Sequence, residues 1–468
     1  MAGVDSSTSA CKVQLRDLES GRVIATGRAP HTPTTPPRSE QPPQEWESAF
    51  RAACAQAGLG DALQLDVLSV AAQQHGMVVL DERGDVLRPA KLWNDTESSR
   101  ECTELLELGG AAAWAAAVGS VLVPAFTITK LRWLERHEPA VWARVASVLL
   151  PHDWLTFRLT GRRVTDRGDA SGTGYWSPAE NRYRLDLLEG TLGERDWSSL
   201  LPEVLDPLAV AGEWRDVGTI VGPGTGDNMA AALGLGLRPG DLALSFGTSG
   251  TAFTVTADPW ADPTGVVAGF ADATGRYLPL VCTMNATKVT DAVMRLLGVD
   301  AARFDQLALE APPGAGGLVL VPYLDGERTP NRPDATGVLA GLHSEVTPAE
   351  LARAAVEGVV CNLLEAAASL PPSGTDGRTF LVGGGARSPA YQRVVADLTG
   401  RAVCVPAEEE LVAAGAAVQA AAIFAGSDFD TVADNWSLGR GVLVEPDERV
   451  DRRAIRAAYR DALDKAGA

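Results

Sequence analysis

Cysteine is scarce and scattered in this chain. The six residues, Cys11, Cys54, Cys102, Cys282, Cys361 and Cys404, form no CxxC pair and have no histidine at ligand spacing. This excludes a zinc site and a disulfide framework, and leaves small buried hydrophobes in a reducing compartment. Positive charge is also short, with 41 Lys and Arg against 60 Asp and Glu and a formal net charge of −19. Nucleic acid and anionic membrane surfaces are therefore excluded as partners, although the field inside a pocket can still accept an anionic nucleotide. There is no apolar run of about eighteen residues and no basic-plus-apolar leader at Met1, and the alanine-rich stretch 109–119 is too short to cross a bilayer. A cytoplasmic protein is expected. Two nucleotide signatures are missing as well: the phosphate-loop Gly-Lys-Ser/Thr and the spaced dinucleotide glycines.

What is present is enough for two cores. A chain of 468 residues exceeds what one hydrophobic core organises, so two domains are expected. The polar, poorly patterned stretch 203–216 is the expected junction, giving domains 1–216 and 217–468. The most informative stretch is 221–251, VGPGTGDNMAAALGLGLRPGDLALSFGTSGT. It places Asp227-Asn228 after a Gly-Pro-Gly-Thr-Gly run, and about twenty residues later a small-residue turn, Ser245 to Gly250, between two strand-like runs. Glycines that let backbone approach closely, flanked by the hydroxyls of Thr248 and Ser249, form an anion cradle. A carboxylate near such a cradle supplies what phosphoryl transfer needs: a base, and electrostatic support for a moving phosphate. On these residues alone a glycine-rich hairpin plus an Asx turn is an equal reading.

The N-terminus repeats the same arrangement. Residues 2–15 read as strand, hydroxyl-rich turn (Asp5, Ser6, Ser7, Thr8, Ser9) and strand, so two similar hairpins in separate halves point to a duplicated domain. Asp5 at a strand end suits Mg²⁺ held through water. Lys12 reads as a phosphate partner or as a strand-face lysine, and solvation favours the second. Gln74-His75-Gly76 sits at a strand–turn boundary, where His75 is either a hydrogen-bonded structural histidine or, with Gln74, a donor–acceptor set for a polyol. Leu92-Trp93-Asn94-Asp95 is either an aromatic sugar wall with polar tips or a helix-capping pair. Residues 166–174, DRGDASGTG, read as a structured polar turn and not a metal cage, because ligand spacing is irregular. Helices are expected over 45–58, over 284–298, from Thr347 (a capping box with Pro348 at the first position) to about 368, and over 408–425. The strand 379–382 runs into Gly383-Gly384-Gly385, with Ser388 capping the next helix, a geometry that favours a phosphate or flat base.

In this order and spacing, these motifs, together with Lys130-Leu131-Arg132-Trp133, Gly326-Glu327-Arg328-Thr329-Pro330 and Ala414-Gly415-Ala416-Ala417, resemble the FGGY carbohydrate kinases over nearly the whole chain. The resemblance implies an α/β protein of two actin-like (ribonuclease H-like) domains with an active-site cleft between them. The N-terminal domain would bind sugar and the C-terminal one ATP. It implies Asp227 as general base and Asp5 as the metal and phosphate residue. Thr8, Ser9, Lys12, Gly247, Thr248 and Ser249 would lie along the phosphates, and Gly384, Gly385 and Ser388 along the nucleotide. Gln74, His75, Trp93, Asn94 and Asn228 would line the sugar pocket. ATP and Mg²⁺ are the implied cofactors, and a ketopentose such as D-xylulose the implied substrate. Kinases of ribulose, gluconate or glycerol are the alternatives, as is a non-catalytic sugar or nucleotide sensor. Three departures stand out: Ser7 and Ala10 in the first turn where the family usually has glycines, Glu97 where it often has arginine, and a segment before Gly222 that is shorter than expected, as though a helix of the domain connection were missing. Homodimers are common in the family, although no interface patch is legible here.

Overall fold

The structure is a computed structural model that describes residues 1–59, 65–372 and 377–465. The chain forms two compact units. The first comprises 1–237, 257–278 and 410–438, and the second 238–256, 279–409 and 439–468.

In the first unit, six strands run in the order Gly212–Trp214, Thr219–Val221, Val67–Ala72, Ala2–Ser6, Ala10–Arg16, Val23–Pro30. The three central neighbours pair in parallel and the outer pairs are antiparallel. Alternation along the central strand assigns its two faces. Ala2 and Val4 face a core shared with Trp46, Phe50 and Trp154, in which Trp46 and Trp154 meet edge to face at 6.0 Å. Gly3 faces the helix Leu411–Ala425, where an added Cβ would lie 1.9 Å from the carbonyl oxygen of Ala413. That helix is almost wholly small and apolar, and is buried along most of its length.

The second unit repeats the plan. Its strands run Gly441–Val444, Val403–Pro406, Thr379–Val382, Leu242–Phe246, Gly250–Thr254, Tyr277–Thr283, with the same succession of antiparallel and parallel pairings. The duplication expected from the two hairpins is therefore present strand for strand. Thr347 forms the expected capping box with Glu350, opening the helix Pro348–Ala367.

The expected junction over 203–216 is corrected by the sheet. Glu203–Leu205 pairs with Val164–Asp166, and Gly212–Trp214 pairs with Thr219–Val221, which itself joins Val67–Ala72. Glu203–Leu205 and Gly212–Trp214 are three residues long and lie at sheet edges, partly exposed, and that hid them in the sequence pattern. The first unit thus continues past the 216/217 division to residue 237, and later segments return to it. Helix limits shift slightly: Pro43–Gln56, Thr287–Leu297 and Leu411–Ala425 stand where 45–58, 284–298 and 408–425 were expected.

Candidate active site

Asp227 follows the strand Thr225–Gly226 directly and opens the helix Asp227–Gly234. Gly226 is needed beside it, since a Cβ there would press on Gln74 at 2.6 Å. The Asp227 carboxylate accepts from the Asn228 backbone N–H (2.8 Å) and from Asn228 Nδ2 (3.0 Å). Asn228 Nδ2 also donates to Gln74 Oε1 at 2.8 Å. Burial, followed by the negative charge of Asp5, pushes Asp227 up to about 7. A carboxylate poised there is a competent proton acceptor at neutral pH.

Asp5 lies near the end of the central strand, opposite Lys12 across the hairpin. Burial raises its pKa against the opposing Ser7 and Lys12, and Glu410 adds to the rise. Ser7 Oγ donates to Asp5 at 2.6 Å, so this departure from glycine ties the turn to the carboxylate. Lys12 Nζ lies 3.6 Å from Asp5 and 2.5 Å from Glu410, an ion-paired position rather than a bare strand face. The Asp5 carboxylate, with the Ser7 hydroxyl beside it and its charge felt at Asp227, is a hard oxygen donor of the kind Mg²⁺ takes. Thr8 Oγ1 donates to Gln73 Oε1 (3.2 Å) and accepts from Trp93 Nε1 (2.9 Å), while Ser9 is exposed at the turn.

His75 adopts a left-handed backbone, φ 66°. Its carbonyl accepts from Thr127 Oγ1 (3.1 Å), and its ring lies 5.0 Å from Phe126 and 5.7 Å from Phe270. Trp93 is 45% exposed and presents its indole to the surface beside the first turn. Asn94 Oδ1 and Gln74 Nε2 are buried with no hydrogen-bond partner among the described residues. Such an acceptor and donor suit ligand hydroxyls.

The reading of Asn94-Asp95 as a helix cap is corrected: the next helix, Ser99–Gly109, follows Ser98. Asp95 instead accepts from the Ser39 N–H (2.8 Å) and faces the buried Lys91 ammonium. Lys91 also meets Glu40 (3.2 Å), Glu97 (2.5 Å) and the Trp133 ring (3.8 Å to its centroid). Glu40, Asp95 and Glu97 converge closely enough for a metal ion, but the lysine ammonium occupies that role. Glu97, the acidic departure, is thus a partner of Lys91, and the Trp93-Asn94 tip stands on this charged cage. Lys130 is buried and donates to the carbonyls of Pro124 and Ala125, with burial lowering its amine to about 7.

In the second unit, the turn after Leu242–Phe246 exposes Thr248 and Ser249, and the Gly247 N–H donates to the Ser249 carbonyl at 3.0 Å. The backbone N–H groups of Ala286 and Thr287 donate to the carbonyls of Thr248 and Gly247, fixing the turn to the start of Thr287–Leu297. Glu327 anchors that same segment: it accepts from the Met284 N–H (2.5 Å), Asn285 Nδ2 and Asn362 Nδ2 (both 2.9 Å). Gly383 and Gly385 press against Phe246, where a Cβ would meet its atoms at 2.8 Å, while Gly384 faces open space. Ser388 caps Pro389–Thr399 by accepting from the Tyr391 N–H, and donates to Asp305 at 2.5 Å. Its hydroxyl is committed to the protein.

Sequence reasoning missed the partners of His75 and a buried charge cluster, His152 with Asp153, Asp166 and Asp169. His152 and Asp153 stand in the first turn of the helix Pro151–Thr160, and no neighbouring residue in the sequence marks their partners. Residues 166–174 form the structured turn expected, capped by Asp166, but it is buried throughout. A cavity of about 570 Å³ lies among Arg163, Trp176, Tyr183 and Glu203, and is lined by none of the site residues above.

Residues 1–234 match the N-terminal domain model, and 242–424 the C-terminal domain model, of the FGGY family of carbohydrate kinases. A xylulose kinase of Streptomyces rubiginosus is 46% identical over 468 residues, covering 98% of this chain and 95% of its own. The crystal structure of a xylulose kinase from Bifidobacterium adolescentis superposes with a TM-score of 0.86 at 39% identity, covering 99% of each chain. A gluconate kinase from Lactobacillus acidophilus, at 22% identity and TM-score 0.91 over 100% of this chain and 97% of its own, shares the fold. The chain belongs to the FGGY family of carbohydrate kinases and is an ATP-dependent sugar kinase.

Proposed function

We propose that this enzyme phosphorylates the terminal hydroxyl of D-xylulose, giving D-xylulose 5-phosphate and ADP. The observation that carries the reading is the linked set Gln74–Asn228–Asp227, a polyol-type amide pair joined by hydrogen bonds to a carboxylate held near neutrality. Identity of 46% to a xylulose kinase over nearly the full length supports the ketopentose over gluconate or glycerol.

In this reading Asp227 accepts the hydroxyl proton as the sugar oxygen forms its bond to the γ-phosphorus, and the bond to the ADP oxygen breaks. Gln74, His75, Trp93, Asn94 and Asn228 hold the sugar. Asp5 would hold Mg²⁺, and Thr8, Ser9 and Lys12 would serve the phosphates. Bound Mg²⁺ supplies charge neutralisation of the phosphate oxygens. The Gly247-Thr248-Ser249 turn cradles the transferred phosphate, and Gly384-Gly385 lie along the adenosine. Ser388 acts through the helix it caps. We place the enzyme in the cytoplasm, where ATP and reduced thiols coexist, consistent with six free cysteines.

ADP release with MgATP, measured across ketopentoses, polyols and sugar acids with a no-sugar control, tests the assignment. D-xylulose is expected to give the highest kcat/KM. A higher value on gluconate or glycerol moves the substrate, and silence across the panel with ATP still bound defeats the kinase reading. Within it, His75→Ala is expected to raise the sugar KM about tenfold or more with a smaller change in kcat, as removal of a binding contact does. The reverse pattern would put His75 in the chemistry.

A further inference from the structure

Behind these residues lies a buried charge cluster that no role above uses. His152, second in the helix Pro151–Thr160, is fully buried. Its Nε2 stands 3.1 Å from Asp153, 3.3 Å from Asp166 and 3.4 Å from Asp169. A buried carboxylate is retained at such a place only when a cation or hydrogen bonds compensate it. Here three carboxylates share one imidazole.

Each carboxylate leads elsewhere. Asp166 accepts from the Gly168 and Asp169 N–H groups at 2.8 and 3.0 Å, closing the turn Arg167–Ala170. Asp166 also accepts from Thr225 Oγ1 at 2.7 Å, in the two-residue strand that delivers Asp227. Asp169 accepts a long bond from the His75 N–H, 3.5 Å. Asp153 accepts from the Leu150 N–H at 2.8 Å. The glycines of the turn mark how tightly it is seated: a Cβ on Gly168 would meet Met229 at 2.9 Å and Thr225 at 3.0 Å, and one on Gly172 would strike the His75 ring at 2.3 Å. On the far side, Gly224 leaves room for the imidazole, where a Cβ would stand 2.6 Å from His152 Nδ1.

We infer that His152, held as a cation among Asp153, Asp166 and Asp169, is a positioning residue for the sugar-phosphorylating site, pinning the 166–172 turn against His75 on one side and against the Asp227 strand on the other. Burial opposes the charged imidazole, but Asp153 and then Asp166 and Asp169 outweigh it and raise its pKa to about 9, so the cation persists at neutral pH. Burial raises Asp153 and, further, Asp169. Without the cation, these carboxylates repel one another or take up protons to avoid it, and either way the turn loses the ion pairing that holds it together.

The inference rests on the roles proposed above for Asp227 and His75. Steady-state kinetics of His152→Gln, His152→Lys, Thr225→Val and Asp169→Asn test it, each variant checked for folding by thermal melt. His152→Gln, neutral and similar in reach, is expected to lower kcat/KM for the sugar at least tenfold while the ATP KM stays within twofold. His152→Lys restores a cation and is expected to recover to within about threefold of wild type. Thr225→Val is expected to lower kcat about three- to tenfold with the sugar KM little changed, and Asp169→Asn to raise the sugar KM. Wild-type constants in His152→Gln overturn the inference, as does a His152→Lys variant no better than His152→Gln. If His152→Gln does not fold, Thr225→Val and Asp169→Asn decide, and unchanged constants in both overturn it. An error in the substrate shows in the wild-type protein instead, as turnover of another sugar of the panel, on which the same variants are then compared.

Discussion

Asp227→Asn is expected to lower turnover by about two to four orders of magnitude, the contribution of a general base, while making the protein more stable. Both effects have one cause. The folded environment raises the Asp227 pKa from 3.8 to about 7, through burial and then the charge of Asp5. A raised carboxylate binds its proton more tightly in the folded chain than in the unfolded one, so stability falls as pH rises from about 4 to about 7, and the full cost is present above that. Asparagine removes the charge and the cost. For a half-buried carboxylate screened by solvent, the gain is on the order of 1 kcal/mol at pH 8, or about 1–2 °C in melting temperature for a chain of this size. The rate carries the same titration with the opposite benefit, because the base must be deprotonated to act. In the wild type, kcat/KM for the sugar should therefore fall about tenfold per pH unit below about 7 and level off above it. A rate that stays flat to pH 5.5, or an asparagine variant with ordinary turnover, would falsify the role of Asp227.

The second large effect concerns packing behind that residue. Gly415→Val is expected to destabilise the protein by about 3 kcal/mol, a fall of about 3–5 °C for a chain of this size, with loss of activity. The helices Asp227–Gly234 and Leu411–Ala425 meet through two glycines. A Cβ on Gly415 would lie 1.8 Å from the Ala230 carbonyl oxygen, and one on Gly234 would lie 2.1 Å from that of Leu411. Both obstacles are backbone, so neither can swing aside as a side-chain tip can. A bulkier residue must push the helices apart, and the displaced helix is the one that begins with Asp227. Gly190→Ala, in the helix Leu185–Leu192, is the matched control, since a Cβ there meets nothing within 4 Å. It should be neutral or stabilise by up to ~1 kcal/mol. Circular dichroism melts of the two variants decide the matter: equal melting temperatures would mean that the helices yield freely at this crossing.

The sequence by itself determined the local chemistry. Both hydroxyl-rich hairpins, the Asp227-Asn228 pair, the Thr347 and Ser388 caps and the small-residue helix ending at Ala425 are written in neighbouring residues, because turns, caps and close approach depend on side chains a few positions apart. The repeated hairpin also makes the duplicated sheet legible in the sequence. Tertiary structure decided what lies far apart in the chain. Lys91 belongs to Glu40 and Glu97 as well as Asp95. His75 is clamped by Phe126 and Phe270, and His152 is ringed by carboxylates that reading by proximity assigned to an ordinary turn. The first unit takes back 410–438 after more than a hundred residues spent in the second. The physical reason is burial: a charged side chain looks solvated in sequence until the sheet faces that cover it are known, and only then must its charge be answered by a partner from another element.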